Sequence, residues 1–190
     1  MLQQSAQDDP SRGISGRPAA MATVRTLDDL AIWDRNPETA NRCAQAWSDA
    51  GLPARPVTDL GEAVRDADIV SCVTLASEPL IRADWLSPGS HLDLIGSFTP
   101  AMTEAEPARF SQAAVWVDTQ EALMKSGDLL NAIECGAWNR GPLYGDLQQL
   151  CRGSVKARTT PQQRTVLKAV GSALEDLAAA KLAYRATRSR

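Results

Sequence analysis

The chain has 190 residues, 44% of them apolar, and a formal net charge of −3. That length suits one domain with a sizeable core, and the composition excludes a disordered chain. The charge gives no general pull toward nucleic acid, and no apolar run approaches the ~18–20 residues of a membrane span.

The first residues, MLQQSAQDDPSRG, lack the basic start and apolar core of a signal peptide. A cytoplasmic protein is expected, with neither nucleic-acid nor membrane partners. The four cysteines, Cys43, Cys72, Cys135 and Cys151, have no CxxC spacing, so neither a zinc site nor a redox motif is indicated. The one histidine, His91, excludes a His-rich metal site and reads as a polar residue at a strand entrance.

Residues 1–20 are rich in Gln, Ser, Asp, Gly and Pro and read as a mobile leader. LAIW at 30–33 is a strand ending in Asp34-Arg35. Asn36 caps a helix with Pro37 at its first position, and Ala40, Cys43, Ala44, Trp47 and Ala50 make its apolar face before Gly51 stops it. ARPV at 54–57 is a weak strand, and Asp59 with Glu62 forms a capping box for a helix to about Asp66. IVSCVT at 69–74 is the apolar, β-branched run of a parallel strand buried on both faces. EPLIRADWL at 78–86 is expected to be a short helix. HLDLIG at 91–96 and AVWVDT at 114–119 are further strands, with an acidic helix start following the first of them. Asp118 and Glu121 fit a capping box for a helix through Leu130. Thr160-Pro161-Gln162-Gln163 opens a helix expected over 161–187, with Val166, Val170, Ala173, Leu174, Leu177 and Tyr184 at helical spacing. Strand-helix alternation of this kind argues for a parallel α/β sheet.

The ordered segments DIVSCVT, HLDLIGSFTPAMTE, VWVDTQEALMKSGDLL, YGDLQQL and LKAVGSALEDLAAAKLAY resemble the ornithine cyclodeaminase/mu-crystallin family over residues 24–185. The resemblance implies a Rossmann-type domain binding NAD or NADP beside a cyclic imino acid or amino acid, and a homodimer. Asp34 is placed to meet an adenosine ribose and Arg35 a 2′-phosphate, so both cofactors stay open; both residues also fit a solvated strand end. Thr74 ends a buried strand, where open parallel sheets bind ligands or simply turn. Gly96 lets backbone approach a flat ring, and the Ser97 and Thr99 hydroxyls can orient substrate or water. Cyclodeaminases of the family carry an acid/base aspartate and a lysine where this chain has Phe98 and Met102. Phe cannot transfer a proton, and Gly-Ser-Phe-Thr-Pro looks like the branch that reduces Δ1-pyrroline-2-carboxylate or related ketimines. The resemblance also brings Lys168 and Gly171 near the nicotinamide, whereas the residues alone read Lys168, Glu175 and Asp176 as solvated side chains of a core-facing helix.

No apolar strand precedes DPSRGI at 9–14, where the glycine loop of such a domain is expected. The expected fold is therefore α/β: an incomplete Rossmann-type (doubly wound parallel) sheet with a long C-terminal helix. It divides into a flexible leader (1–22), a Rossmann-like NAD(P)-binding domain lacking the first strand and glycine loop (23–142), and a C-terminal helical segment (143–190). Losing the central strand leaves the strands at 30–34 and 69–74 to pair directly, to split the sheet, or to accept another chain. Two functions follow. One is an NAD(P)H-dependent reductase of cyclic imino acids, for which no catalytic acid is identified. The other is a truncated, non-catalytic module that binds a nucleotide or a partner.

Overall fold

The apolar runs of this chain are four or five residues long, which suits buried parallel strands better than helices. In the computed structural model, which describes residues 2–3, 17–139 and 143–188, they form the middle of an eight-stranded, all-parallel sheet. In chain order the strands are β1 (Leu2–Gln3), β2 (Leu30–Asp34), β3 (Ala54–Pro56), β4 (Ile69–Val73), β5 (His91–Leu94), β6 (Ala114–Val117), β7 (Leu143–Asp146) and β8 (Thr165–Lys168). In space they run β3-β2-β1-β4-β5-β8-β6-β7. From β3 to β5 this is the order of a Rossmann-type sheet.

The helices are α1 (Arg17–Val24), α2 (Pro37–Asp49), α3 (Leu60–Arg65), α4 (Ala122–Lys125), α5 (Gly127–Glu134), α6 (Leu147–Cys151) and α7 (Ala173–Arg188). Two of them start as the sequence specifies. The Asn36 side chain accepts from the Glu38 amide, and Asp59 accepts from the Glu62 amide. The main core lies on one sheet face. Val70, Leu92, Val166 and Val115 are in register there, as are Cys72, Leu94, Lys168 and Val117. Ile81, Phe110, Leu129 and Trp138 pack over these rows. On the other face, Ala40, Cys43 and Ala44 of α2 pack on Ile32.

Several expectations are corrected. The first strand is present: Leu2 pairs with Trp33 and Cys72, and Gln3 with Asp34 and Val73, so the slot between β2 and β4 is filled by the chain itself. A two-residue strand has no periodicity to read, which is why the sequence hid it. With β1 and α1, residues 1–22 contain ordered elements; the expected glycine-loop stretch at 9–14 lies outside the described residues.

The segment 143–190 is not wholly helical. It contributes β7 at the sheet edge and β8 between β5 and β6. Val166 is fully buried in that slot, and Gly171 turns the chain at φ +78° before α7 begins. The helical spacing from 166 to 184 thus crosses a strand, a turn and a helix.

Residues 78–86 do not form one helix. Leu80 and Ile81 both donate backbone hydrogen bonds to the Glu104 carbonyl, and only Ala83–Trp85 makes a 3-10 turn. Nor does Glu104 open a helix; the next element is a 3-10 segment, Pro107–Gln112.

Finally, Asp118 caps no helix. Its Oδ2 accepts from the Val170 and Gly171 amides at 2.8 and 2.7 Å, fixing the turn after β8. The helix expected through Leu130 breaks at Ser126-Gly127. Gly127 there sits so close to the 99–102 loop that a Cβ would lie 2.1 Å from the Met102 carbonyl.

Candidate functional site

Because all strands run parallel, their carboxyl ends line one edge, and the turns leaving them can converge. Asp34 ends β2 on that edge. Across the β1 backbone from it, Val73 leads into Thr74. Gly96 and Ser97 follow β5, and Lys168 ends β8 beside it.

Thr74, Gly96 and Ser97 are brought together, but by protein contacts that the sequence did not suggest. Glu104 is fully buried between the turns. Its Oε1 accepts from the Thr74 amide at 2.7 Å and the Thr74 hydroxyl at 2.8 Å; its Oε2 accepts from the Gly96 amide at 2.8 Å. Gly96 is a glycine because of this packing: a Cβ would stand 1.7 Å from the Thr74 carbonyl and 2.5 Å from Glu104. The Ser97 hydroxyl donates to the Met102 carbonyl at 2.6 Å and accepts from the Asp128 amide at 3.1 Å. Both hydroxyls are therefore engaged within the loop framework.

Lys168 is the main departure from the reading of solvated side chains. It has no exposure, donates to the Leu94 carbonyl at 3.1 Å, and lies 3.6 Å from Asp128 Oδ2 and 4.0 Å from Glu104 Oε2. Asp128 Oδ1 in turn accepts from the Thr103 hydroxyl and the Glu104 and Ala105 amides. Burial pushes the Glu104 carboxyl up, opposed by the Lys168 charge. Burial pushes the Lys168 ammonium down, opposed by Asp128 and Glu104. The signal that could have identified Lys168 is a lone charge ending the apolar run TVLK. Glu175 and Asp176 are exposed, as expected.

Asp34 stands apart from this cluster on the same edge. It is 6% exposed; Oδ1 accepts from the Asn36 amide at 2.7 Å, while Oδ2 is buried with no hydrogen-bond partner. Burial pushes its carboxyl up, and the Asn36 amide partly offsets this. Arg35, next to it, is exposed. Phe98 and Leu75, on the turns after β5 and β4, are 44% and 50% exposed and give the edge an apolar surface.

His91 lies at the opposite end, where β5 begins, with its Nδ1 2.8 Å from the Thr165 hydroxyl. A cavity of about 1380 Å³ also opens toward the beginnings of β2, β4, β5 and β8, and Thr74, Gly96 and Ser97 are not among its lining residues. Among the described residues no cluster of His, Cys, Asp and Glu is gathered to hold a metal, and no helix is long and apolar enough to cross a membrane.

The model of the ornithine cyclodeaminase/mu-crystallin family matches residues 15–190. The chain belongs to that family. It is 35% identical over 160 residues to the Δ1-pyrroline-2-carboxylate reductase of Paracoccus denitrificans (84% of this chain, 51% of the relative). The ketimine reductase mu-crystallin of Mus musculus is 34% identical over 160 residues (84% of this chain, 47% of the relative). Among solved structures, the Thermococcus litoralis Δ1-pyrroline-2-carboxylate reductase in complex with NADH and L-proline aligns with a TM-score of 0.87. Its identity is 26%, and the match covers 97% of this chain and 56% of that one. The chain thus spans about half the length of the curated relatives it matches.

Proposed function

We propose that this family member supplies the dinucleotide-binding part of an NAD(P)H-dependent reductase of cyclic imino acids, such as Δ1-pyrroline-2-carboxylate or a related ketimine. The observation that carries the reading is Asp34. A buried carboxylate at the carboxyl end of β2 keeps one oxygen without a protein donor, where a dinucleotide fold offers an acceptor to the adenosine ribose. The residues present fit the cofactor: Asp34 would hold the ribose, and the Thr74, Gly96 and Ser97 turns would lie along the rest of it. A reduced nicotinamide, when bound, would supply hydride for the C=N carbon. The chain's own contribution is to bind and orient. The exposed Leu75 and Phe98 give an apolar wall beside the two turns and exclude water. Phe98 has no proton to give, which favours reduction over cyclodeamination. Because Asp34 occupies the buried strand end and Arg35 faces solvent, the proposed preference is NAD over NADP.

A cytoplasmic location belongs to the same proposal and fits four free cysteines, of which Cys135 and Cys151 are exposed. So does assembly as a homodimer. The test is titration of the purified chain with NADH and NADPH, followed by quenching of its five tryptophans. Saturable binding in the micromolar range, tighter for NADH, is expected. Absence of binding up to millimolar concentration overturns the reading and leaves a non-catalytic module.

A further inference from the structure

We propose that Glu104 is the positioning residue of this edge, clamping the turns after β4 and β5 into one rigid cradle for the dinucleotide. This rests on the dinucleotide reading above and adds a residue to it that lies in neither turn.

The geometry is specific. One carboxylate spans two strands: Oε1 takes both donors of Thr74, and Oε2 takes the Gly96 amide. Those donors sit one residue beyond β4 and two beyond β5, where the chain leaves the sheet. The Thr103 amide also donates to the Ala76 carbonyl farther along the same two segments, but at Thr74 and Gly96 themselves the Glu104 carboxylate is the acceptor that both turns share. Glu104 is itself held from both sides. Asp128 takes its amide, and Lys168, from the end of β8, balances its charge. A carboxylate receiving three hydrogen bonds is stronger as an acceptor than a neutral amide. A glutamine in its place keeps one oxygen but presents an NH2 group to a donor.

The experiment compares Glu104→Gln with Val115→Ala in the full chain. The second variant removes core volume on β6 without removing an acceptor from either turn. NADH affinity is read by tryptophan-to-NADH energy transfer, alongside thermal melting and amide exchange at Thr74 and Gly96. The clamp predicts at least a tenfold weaker affinity and faster exchange at both amides in Glu104→Gln. Val115→Ala, destabilised to a similar degree, should keep its affinity within twofold. Equal affinities in the two variants overturn the clamp while leaving the proposed function intact. If the unsubstituted chain binds no NADH, the proposed function fails and takes this role with it. Should Glu104→Gln not fold, Glu104→Asp is measured instead; it keeps the charge but cannot span both turns, and the same loss is expected.

Discussion

At the residue scale, the buried charges make opposite demands on stability. Lys168 is the only cation among three buried, ionisable neighbours. Breaking a buried ion pair by removing one partner costs about 3–5 kcal/mol, since the remaining charge has no compensation. Lys168→Met is expected to lose that much at neutral pH in chemical denaturation. The loss should shrink as pH falls, because protonating Glu104, whose carboxyl burial already pushes up, removes one of the orphaned charges. Asp34 behaves differently. Its carboxyl is held above the ordinary range by burial, so ionisation works against the fold. The sign follows: its contribution is best at low pH and is lost as pH rises through the raised value. Asp34→Asn should therefore raise the melting temperature at neutral pH by about 2–4 °C, the equivalent of about 1 kcal/mol at this chain length. The gain should fade in acid, and NADH binding should weaken in the same variant. A stabilising substitution that costs binding is what a group kept for a ligand would show.

At the element scale, β8 and α7 meet at Gly171 and differ completely in burial. Val166 is fully enclosed, whereas α7 has no buried residue along its 16 positions and exposes Leu174, Leu182 and Tyr184. Val166→Ala should cost about 2 kcal/mol through lost burial and the cavity left behind. Ending the chain after Ser172 should leave the melting temperature within about 2 °C, because a helix without tertiary packing is marginal in water. This contrast also explains what was legible in the sequence. β4 and β6 were readable as near-continuous apolar runs, β5 as apolar–polar alternation, and α2 because Asn36-Pro37 starts it and Gly51 follows it. β8 was not, since TVLK is too short to distinguish from one turn of an amphipathic helix, and the apolar spacing happens to continue into α7. At the site, Asp34, Thr74 and Gly96 were legible as residues following strands. Glu104 was not, because its partners are 30 and 8 residues away and arise only when the two turns meet.

At the scale of the whole molecule, the centre of the sheet depends on β1 and β8, the first and last strands among the described residues. Leu2–Gln3 separates β2 from β4, and β8 separates β5 from β6. Deleting residues 1–3 would expose two unpaired edges in mid-sheet, and such edges pair with other chains. Light scattering should show that deletion variant associating at concentrations where the full chain does not. The position of β8 has a further consequence, for synthesis. His91 pairs with Thr165, and Thr165 also pairs with Ala114. A nascent chain that has emerged only as far as β7 therefore holds two half-sheets with no strand to join them. Folding cannot close until residue 168 has left the ribosome, and the contacts that close it span 74 residues. Long-range parallel pairing of this kind is slow. Closure of the sheet is thus late relative to the pairing on either side of it, and until then the facing edges of β5 and β6 are the surfaces most in need of protection by a chaperone.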